Sequence, residues 1–206
     1  MKKLIPLAAL ALLAAGCNNT QTQTPPQNNN SQQNSQTPAP QEEAKTQVYR
    51  NGTYGFEFTY PKEMVFNTPS YPNLQDKIVQ VAFARGEYPK TNFGDAAFSV
   101  SASYAKTQAA CLTQGPAKII FGKDPVRING ADFYKGTDTG AGAGNLYEST
   151  IYRTWVGKAT CIELNETIHT SNLGNYEPGT VTAVDKTAVQ SRLDGILNTF
   201  KFDNNQ

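Results

Sequence analysis

All ten tyrosines, all ten phenylalanines and the one tryptophan of this 206-residue chain lie between Tyr49 and Phe202. Aromatic side chains carry the largest apolar areas, so a hydrophobic core can be assembled only from that stretch. The first 48 residues must do something other than pack. What remains is the size of one ordinary domain.

The opening segment reads as an address. Met1-Lys2-Lys3 is basic, and Leu4 to Ala15 is a short run of Leu, Ala, Ile and one Pro. Crossing a bilayer as a helix takes roughly 20 apolar residues, whereas a run this short suits the h-region of a signal peptide. It ends in Leu13-Ala14-Ala15-Gly16-Cys17, which resembles the lipobox of bacterial lipoproteins, in which the Cys is acylated and becomes the first mature residue. Most such boxes have Leu three positions before the Cys; here that position is Ala14. The alternative is an ordinary secretory signal with Cys17 in place by chance. Residues 1–16 are thus expected to be a signal peptide, and Cys17 the site of lipidation, palmitate included. Two or three acyl chains hold a bilayer where one does not. By the same resemblance, Asn18 is not the Asp that retains lipoproteins at an inner membrane. The expected location is therefore the extracytoplasmic side of the cell envelope, on an outer membrane if the source has one.

From Asn18 to Lys45 the chain is Asn, Gln, Thr, Ser and Pro, with Ala39 and Ala44 its only hydrophobic side chains. Such a segment cannot offset its ordering entropy and is expected to be a disordered spacer, reaching about 30 Å as a flexible coil. The globular domain is expected at 46–206.

Over the whole chain 18 Lys and Arg face 17 Asp and Glu, and from Thr46 onward the two signs cancel. Nucleic acid and acidic membrane surfaces both favour a basic excess, so no nucleic-acid partner is expected. With one His and three Cys, little stock exists for a transition-metal site. No cofactor is implied.

Strand patterns dominate the domain. Tyr54 to Tyr60 alternates aromatic and polar residues and is closed by Pro61; Ile78 to Ala84 puts Val79, Val81 and Phe83 on one side. Between Ala96 and Tyr104, Phe98, Val100, Ala102 and Tyr104 alternate with serines. Val126–Phe133 reads as a hairpin, because Asn129-Gly130 can supply the two positive φ angles of a type I′ turn. Two long strands follow, about Asn145–Val156 and Ala159–Thr170, joined by Gly157-Lys158 as a two-residue II′ turn. That register puts Tyr147, Ile151 and Trp155 on a core face with Ile162, Leu164 and Ile168. Glu148, Glu163, Asn165, Thr167 and His169 fall on the opposite, wet face, with Arg153 and Glu166 each near a rim of the apolar one. Asp185 caps a helix running to about Thr199, with Val189, Leu193, Ile196, Leu197 and Phe200 as its apolar stripe. Phe200-Lys201-Phe202 adds a last extended piece, and a shorter helix can form between Pro61 and Leu74 or around Lys106–Gln114. Strands joined by turns, without regular helical crossovers, make the class α+β with a mainly antiparallel sheet packed by a C-terminal helix.

Cys111 and Cys161 remain after Cys17. Export favours a disulfide between them, closing a loop of about 50 residues and stabilising by roughly 4 kcal/mol. Two free thiols, or a catalytic one, are the alternative.

The strings YGFEFTYP, GNLYESTIYRTW and LDGILNTFKF together resemble small bacterial lipoproteins with a PsbP/Mog1-like domain, over residues 48–203. The resemblance implies an α/β/α sandwich, an antiparallel sheet between helices. That fold hosts unrelated functions, as adaptor, assembly factor or envelope protein. No ligand residues of plant PsbP map onto this chain, so photosystem function does not carry over.

Two segments could carry chemistry. Gly136 to Asn145 is dense in glycine, but a strand follows it and no Lys-Ser/Thr pair completes a phosphate loop, so a mobile connection is expected. His169 to Gly179 is a polar loop leaving the best-defined strand. Candidate binding residues are Gly140, Gly142, Gly144, Asn145, His169, Asn175 and Tyr176, and the expected occupant is an envelope protein or a small ligand. No catalytic residue is assigned. The competing reading is a hydrolase using His169 with Glu148, its expected diagonal neighbour, or with Ser171. No G-x-S-x-G elbow supports it.

Overall fold

The computed structural model describes residues 45–67, 77–84, 86–115 and 119–203. The expected signal peptide, Cys17 and the spacer up to Ala44 lie outside the described residues.

Among the described residues, ten strands form two sheets. β1 (Thr46–Asn51), β2 (Phe56–Pro61) and β10 (Lys201–Phe202) make a three-stranded antiparallel sheet in the order β1-β2-β10. The larger sheet is also antiparallel, in the order β3-β4-β5-β9-β8-β7-β6. Its strands are β3 (Val65–Asn67), β4 (Lys77–Ala82), β5 (Phe93–Tyr104), β6 (Val126–Ile128), β7 (Ala131–Gly142), β8 (Asn145–Trp155) and β9 (Thr160–Ser171). The helices are α1 (Gln108–Leu112) and the C-terminal α2 (Lys186–Leu197). The class is α+β, with a mainly antiparallel sheet packed by the C-terminal helix.

α2 forms where its cap and stripe require. The Asp185 side chain accepts from the Ala188 N–H at 3.1 Å, and Val189, Leu193, Ile196 and Leu197 are all buried. Each such side chain stabilises by about 1.5–3 kcal/mol relative to exposure. Their partners are Val79, Val81, Phe98, Val100, Ile162 and Leu164 from the large sheet and Phe56 and Phe58 from the small one. Phe58 meets Phe98 edge-on at 5.1 Å, and Phe56 meets Phe200 at 5.3 Å. The Asn129-Gly130 turn has the two expected positive φ angles, 42° and 93°. Asn129 Nδ2 also donates to the carbonyls of Asn198 and Phe200, serving acceptors that the end of α2 leaves open.

The opposite face of the large sheet carries α1. A disulfide joins Cys111 of α1 to Cys161 of β9.

The β8–β9 register differs from the sequence expectation by one residue. The connection is a three-residue turn, Gly157–Ala159, in which all three residues have positive φ. Val156 donates to Thr160 and Trp155 pairs with Cys161. A slip of one residue moves every side chain of a strand to the other face. Tyr152, opposite Leu164, is therefore the core residue, at 5 % exposure. Tyr147 and Trp155 lie on the second face and are 43 % and 37 % exposed. Tyr104 is not a core residue either, at 68 %.

The same slip corrects the two charges. Arg153 opposes Glu163 on the second face, where Nε and Nη2 each lie 2.7 Å from Oε2. Glu166 stays on the core face and, far from a rim, is fully buried. Two other strands, β1 and β3, were missed, and a third, β7, was expected only as far as Phe133. β1 and β3 are edge strands with too little alternation to register as periodic. β7 contains the glycine-dense segment expected to be a mobile connection; it is instead an ordered ladder, paired with β8 from Tyr134↔Arg153 to Gly142↔Asn145.

Candidate functional site

The candidate residues gather where β9 ends, beside the tip of the β7–β8 hairpin. A two-residue turn, Ala143-Gly144, closes that hairpin with φ of 48° and 77°, the type I′ signs. The loop after β9 folds back onto it. Asn172 N–H donates to the Gly144 carbonyl at 2.7 Å and Asn175 Nδ2 donates to the same oxygen at 3.1 Å. A Cβ on Gly144 would lie 2.5 Å from Asn175 Nδ2, so the position needs glycine for space as well as for φ.

His169 sits two residue pairs inside this tip, opposite Tyr147. Its Nδ1 lies 2.9 Å from Asp95 Oδ2, its Nε2 lies 3.0 Å from Asn145 Oδ1, and the Tyr147 ring stacks on it at 4.4 Å. The pairing with Asp95 depends on a bulge. β5 pairs Phe93 with Thr170 and then Asp95 with His169, which leaves Gly94 as the extra residue. A Cβ there would stand 2.4 Å from His169 Nδ1. Bulges of this kind re-aim side chains near sites.

Gly144, Asn145, His169 and Asn175 are thus one cluster. Gly140 and Gly142 are ladder residues of β7, and Tyr176 follows the single 3₁₀ turn Leu173–Asn175. Ser171 points its hydroxyl at Asn145 Oδ1, 3.4 Å away. Glu148 is not a neighbour of His169. The one-residue slip places it opposite Ile168 on the other face, in an ion pair with Lys186.

Two grooves lie on the α2 side, the first of them bordering the cluster. One, of about 640 Å³, runs between the hairpin tip and the loop, lined by Gly142, Gly144, Asn145, Asn92 and Lys186 among others. Asn92 is a buried hub that sequence reading passed over. Its Nδ2 donates to the Ser171 carbonyl and its Oδ1 accepts from Val184 N–H, tying β5, β9 and the strap before α2. The other groove, of about 490 Å³, lies along the flank of α2 and is walled by Thr137, Glu148 and Thr150 on one side and Lys186, Gln190 and Asp194 on the other.

Glu166 stands behind that second groove. It opposes Thr150 across the ladder, and its Oε2 accepts from Gln190 Nε2 at 2.8 Å. Gln190 also donates to Asp194 Oδ1 at 3.0 Å. Burial first, then the Asp194 carboxylate, push the Glu166 carboxyl up to about 8, against the Gln190 donor and Lys135. The same burial, with Glu166 and Asp194 nearby, raises the Tyr152 hydroxyl above the usual phenol range.

No family model and no curated protein matches the chain. Among solved structures, cyanobacterial PsbP (CyanoP) from Synechocystis sp. PCC 6803 is similar over 81 % of this chain and 97 % of its own, at 14 % identity and a TM-score of 0.47. LpqN of Mycobacterium tuberculosis, described as involved in cell envelope biogenesis, is similar over 77 % and 90 %, at 8 % identity and a TM-score of 0.45. A Bacteroides thetaiotaomicron protein is similar over 80 % of this chain and 50 % of its own, at 14 % identity and a TM-score of 0.42.

Proposed function

We propose that this protein is a membrane-tethered envelope lipoprotein whose globular domain works by binding, to another protein or a small ligand, at the hairpin tip and the His169–Gly179 loop. The N-terminal reading supplies the anchor and spacer. The binding half rests on one observation: the imidazole of His169 is committed on both nitrogens to strand neighbours and on one face to Tyr147. A ring held this way ties three strands under a shaped polar surface. It does not stand next to a nucleophile, because Ser171 and His169 share Asn145 rather than each other.

Labelling with a palmitate analogue tests the anchor. The wild type should carry label and sediment with membranes, and Cys17→Ala should lose both; label on the Cys17→Ala protein would refute it. Crosslinking in envelope extract, wild type against Asn175→Ala/Tyr176→Ala, tests the surface. Loss of the captured species supports it, and an unchanged profile removes the loop from the binding face.

A further inference from the structure

We infer that the open edge of β7, from Thr137 to Ala141, pairs with the same edge of a second copy of this chain, joining two large sheets across a twofold axis at Thr139. β6 covers the outer edge of β7 only over Ala131–Phe133, and the Gly122 N–H takes the Lys135 carbonyl at 2.9 Å. Past that point no strand lies on this edge among the described residues, although the ladder with β8 continues to Gly142. Thr137, Thr139, Gly140 and Ala141 are all exposed.

The hairpin fixes which backbone groups face outward. Its two-residue turn makes Gly142 and Asn145 exchange both of their hydrogen bonds, so Gly140 and Asp138 do the same with β8 in alternation. Thr137, Thr139 and Ala141 therefore turn N–H and C=O to the open edge, in phase with Lys135. Of these groups only the Thr139 N–H has a partner among the described residues, the carboxylate of its neighbour Asp138 at 2.9 Å. A row of unpaired backbone groups on an ordered strand is a template for strand addition.

The edge is complementary to itself. Antiparallel pairing about Thr139 sets Thr137 opposite Ala141 of the second copy and Thr139 opposite Thr139, so each outward residue exchanges two hydrogen bonds, about six in all. Threonine pairs across strands are favourable. On the other face Asp138 falls opposite Gly140, and Gly136 opposite Gly142. Like charges are thus not set directly opposite each other. Ile119 and Phe121 already crowd Gly136, at 2.9 and 3.2 Å from where its Cβ would stand, so a strand approaching there needs a residue without a side chain. Gly142 supplies one and has open space around it. An unrelated extended peptide satisfies the backbone but does not carry this pattern. From Thr46 onward the charges cancel, so no net repulsion holds two copies apart. Pairing requires Asp138 to release the Thr139 N–H, which keeps the contact weak and reversible, below the size of a standard interface. It uses the β7 edge and not the His169–Gly179 loop, so it goes beyond the binding surface proposed above and is tested separately.

Cysteine crosslinking in cells that express the full chain tests the pairing, with copper phenanthroline as oxidant. In Thr139→Cys the two thiols meet across the axis, where paired residues of a ladder stand about 5.5 Å apart, within disulfide range. The expected result is a reducible dimer that forms about tenfold faster, or more, than in Val48→Cys, an exposed control on β1. Thr139→Cys/Gly140→Glu should slow it by about fivefold or more, because each new carboxylate faces an Asp138 while the monomer has room for it. Crosslinking of Thr139→Cys no faster than of Val48→Cys overturns the proposal. So does a rate that Gly140→Glu leaves unchanged, or a disulfide to a different protein in place of the dimer.

Discussion

Arg153 and Glu163 face each other directly across β8 and β9, with two guanidinium nitrogens 2.7 Å from one carboxylate oxygen. The Arg153 side chain is only 7 % exposed and also donates to the carbonyls of Cys111 and Gln114, pinning α1 and the chain after it to the sheet. Removing one partner of such a pair leaves a buried charge. Glu163→Gln should therefore cost about 3 kcal/mol, read as a lower urea midpoint. A loss under about 0.5 kcal/mol would mean that the pair is solvated.

The Cys111–Cys161 bridge spans a sequence separation of 50. Chain entropy assigns a loop of that size roughly 4 kcal/mol, through the unfolded state. The Cys111→Ser/Cys161→Ser variant should unfold at a lower urea concentration by that amount. Reductant should destabilise the wild type and leave the variant unmoved.

Glu166 sets a pH dependence. Its folded value, about 8, lies above its ordinary value of 4.5, so between these limits the folded state binds more protons than the unfolded one. Stability from this carboxyl is complete below about pH 4.5 and is lost as pH rises through about 8. The total is on the order of 5 kcal/mol. Glu166→Gln keeps the shape and cannot ionise. Its melting temperature should exceed that of the wild type at pH 9, and the gap should close near pH 5. A constant gap across that range would contradict the assignment.

Gly94 and His169 test the bulge. In Gly94→Ala the methyl would lie 2.4 Å from Nδ1, so the ring must leave Asp95 or the bulge must shift. The expected cost is about 1–3 kcal/mol, with displaced His169 ring signals in an NMR spectrum. His169→Ala/Gly94→Ala should recover most of the loss, because the obstructed ring is gone; a double variant no better than Gly94→Ala would place the strain elsewhere.

Much of the fold was legible from local patterns. The face of Phe56, Phe58 and Tyr60, the Asp185 cap, the stripe of α2 and the Asn129-Gly130 turn all rest on interactions within a few residues, which sequence spacing states directly. The region of the candidate site was also visible, as a glycine-dense stretch and a polar loop. Its wiring was not. Asp95 reaches His169 through a bulge, and Asn92 joins segments 79 and 92 positions away.

One extra residue in the Gly157–Ala159 turn decided the rest. It exchanged Tyr152 for Tyr147 in the core, separated Glu148 from His169, and brought Arg153 to Glu163. Both candidate turns are compatible with the same Gly-Lys dipeptide, and β8 carries aromatic or aliphatic residues on both faces. Local chemistry is therefore degenerate in register, and the choice falls to what each face meets: α2 and the aromatic core on one side, α1 and the disulfide on the other. The alternating strands and α2 are written in the chain itself; which way β8 faces, and so which groups share a site, is decided by packing across the sheet.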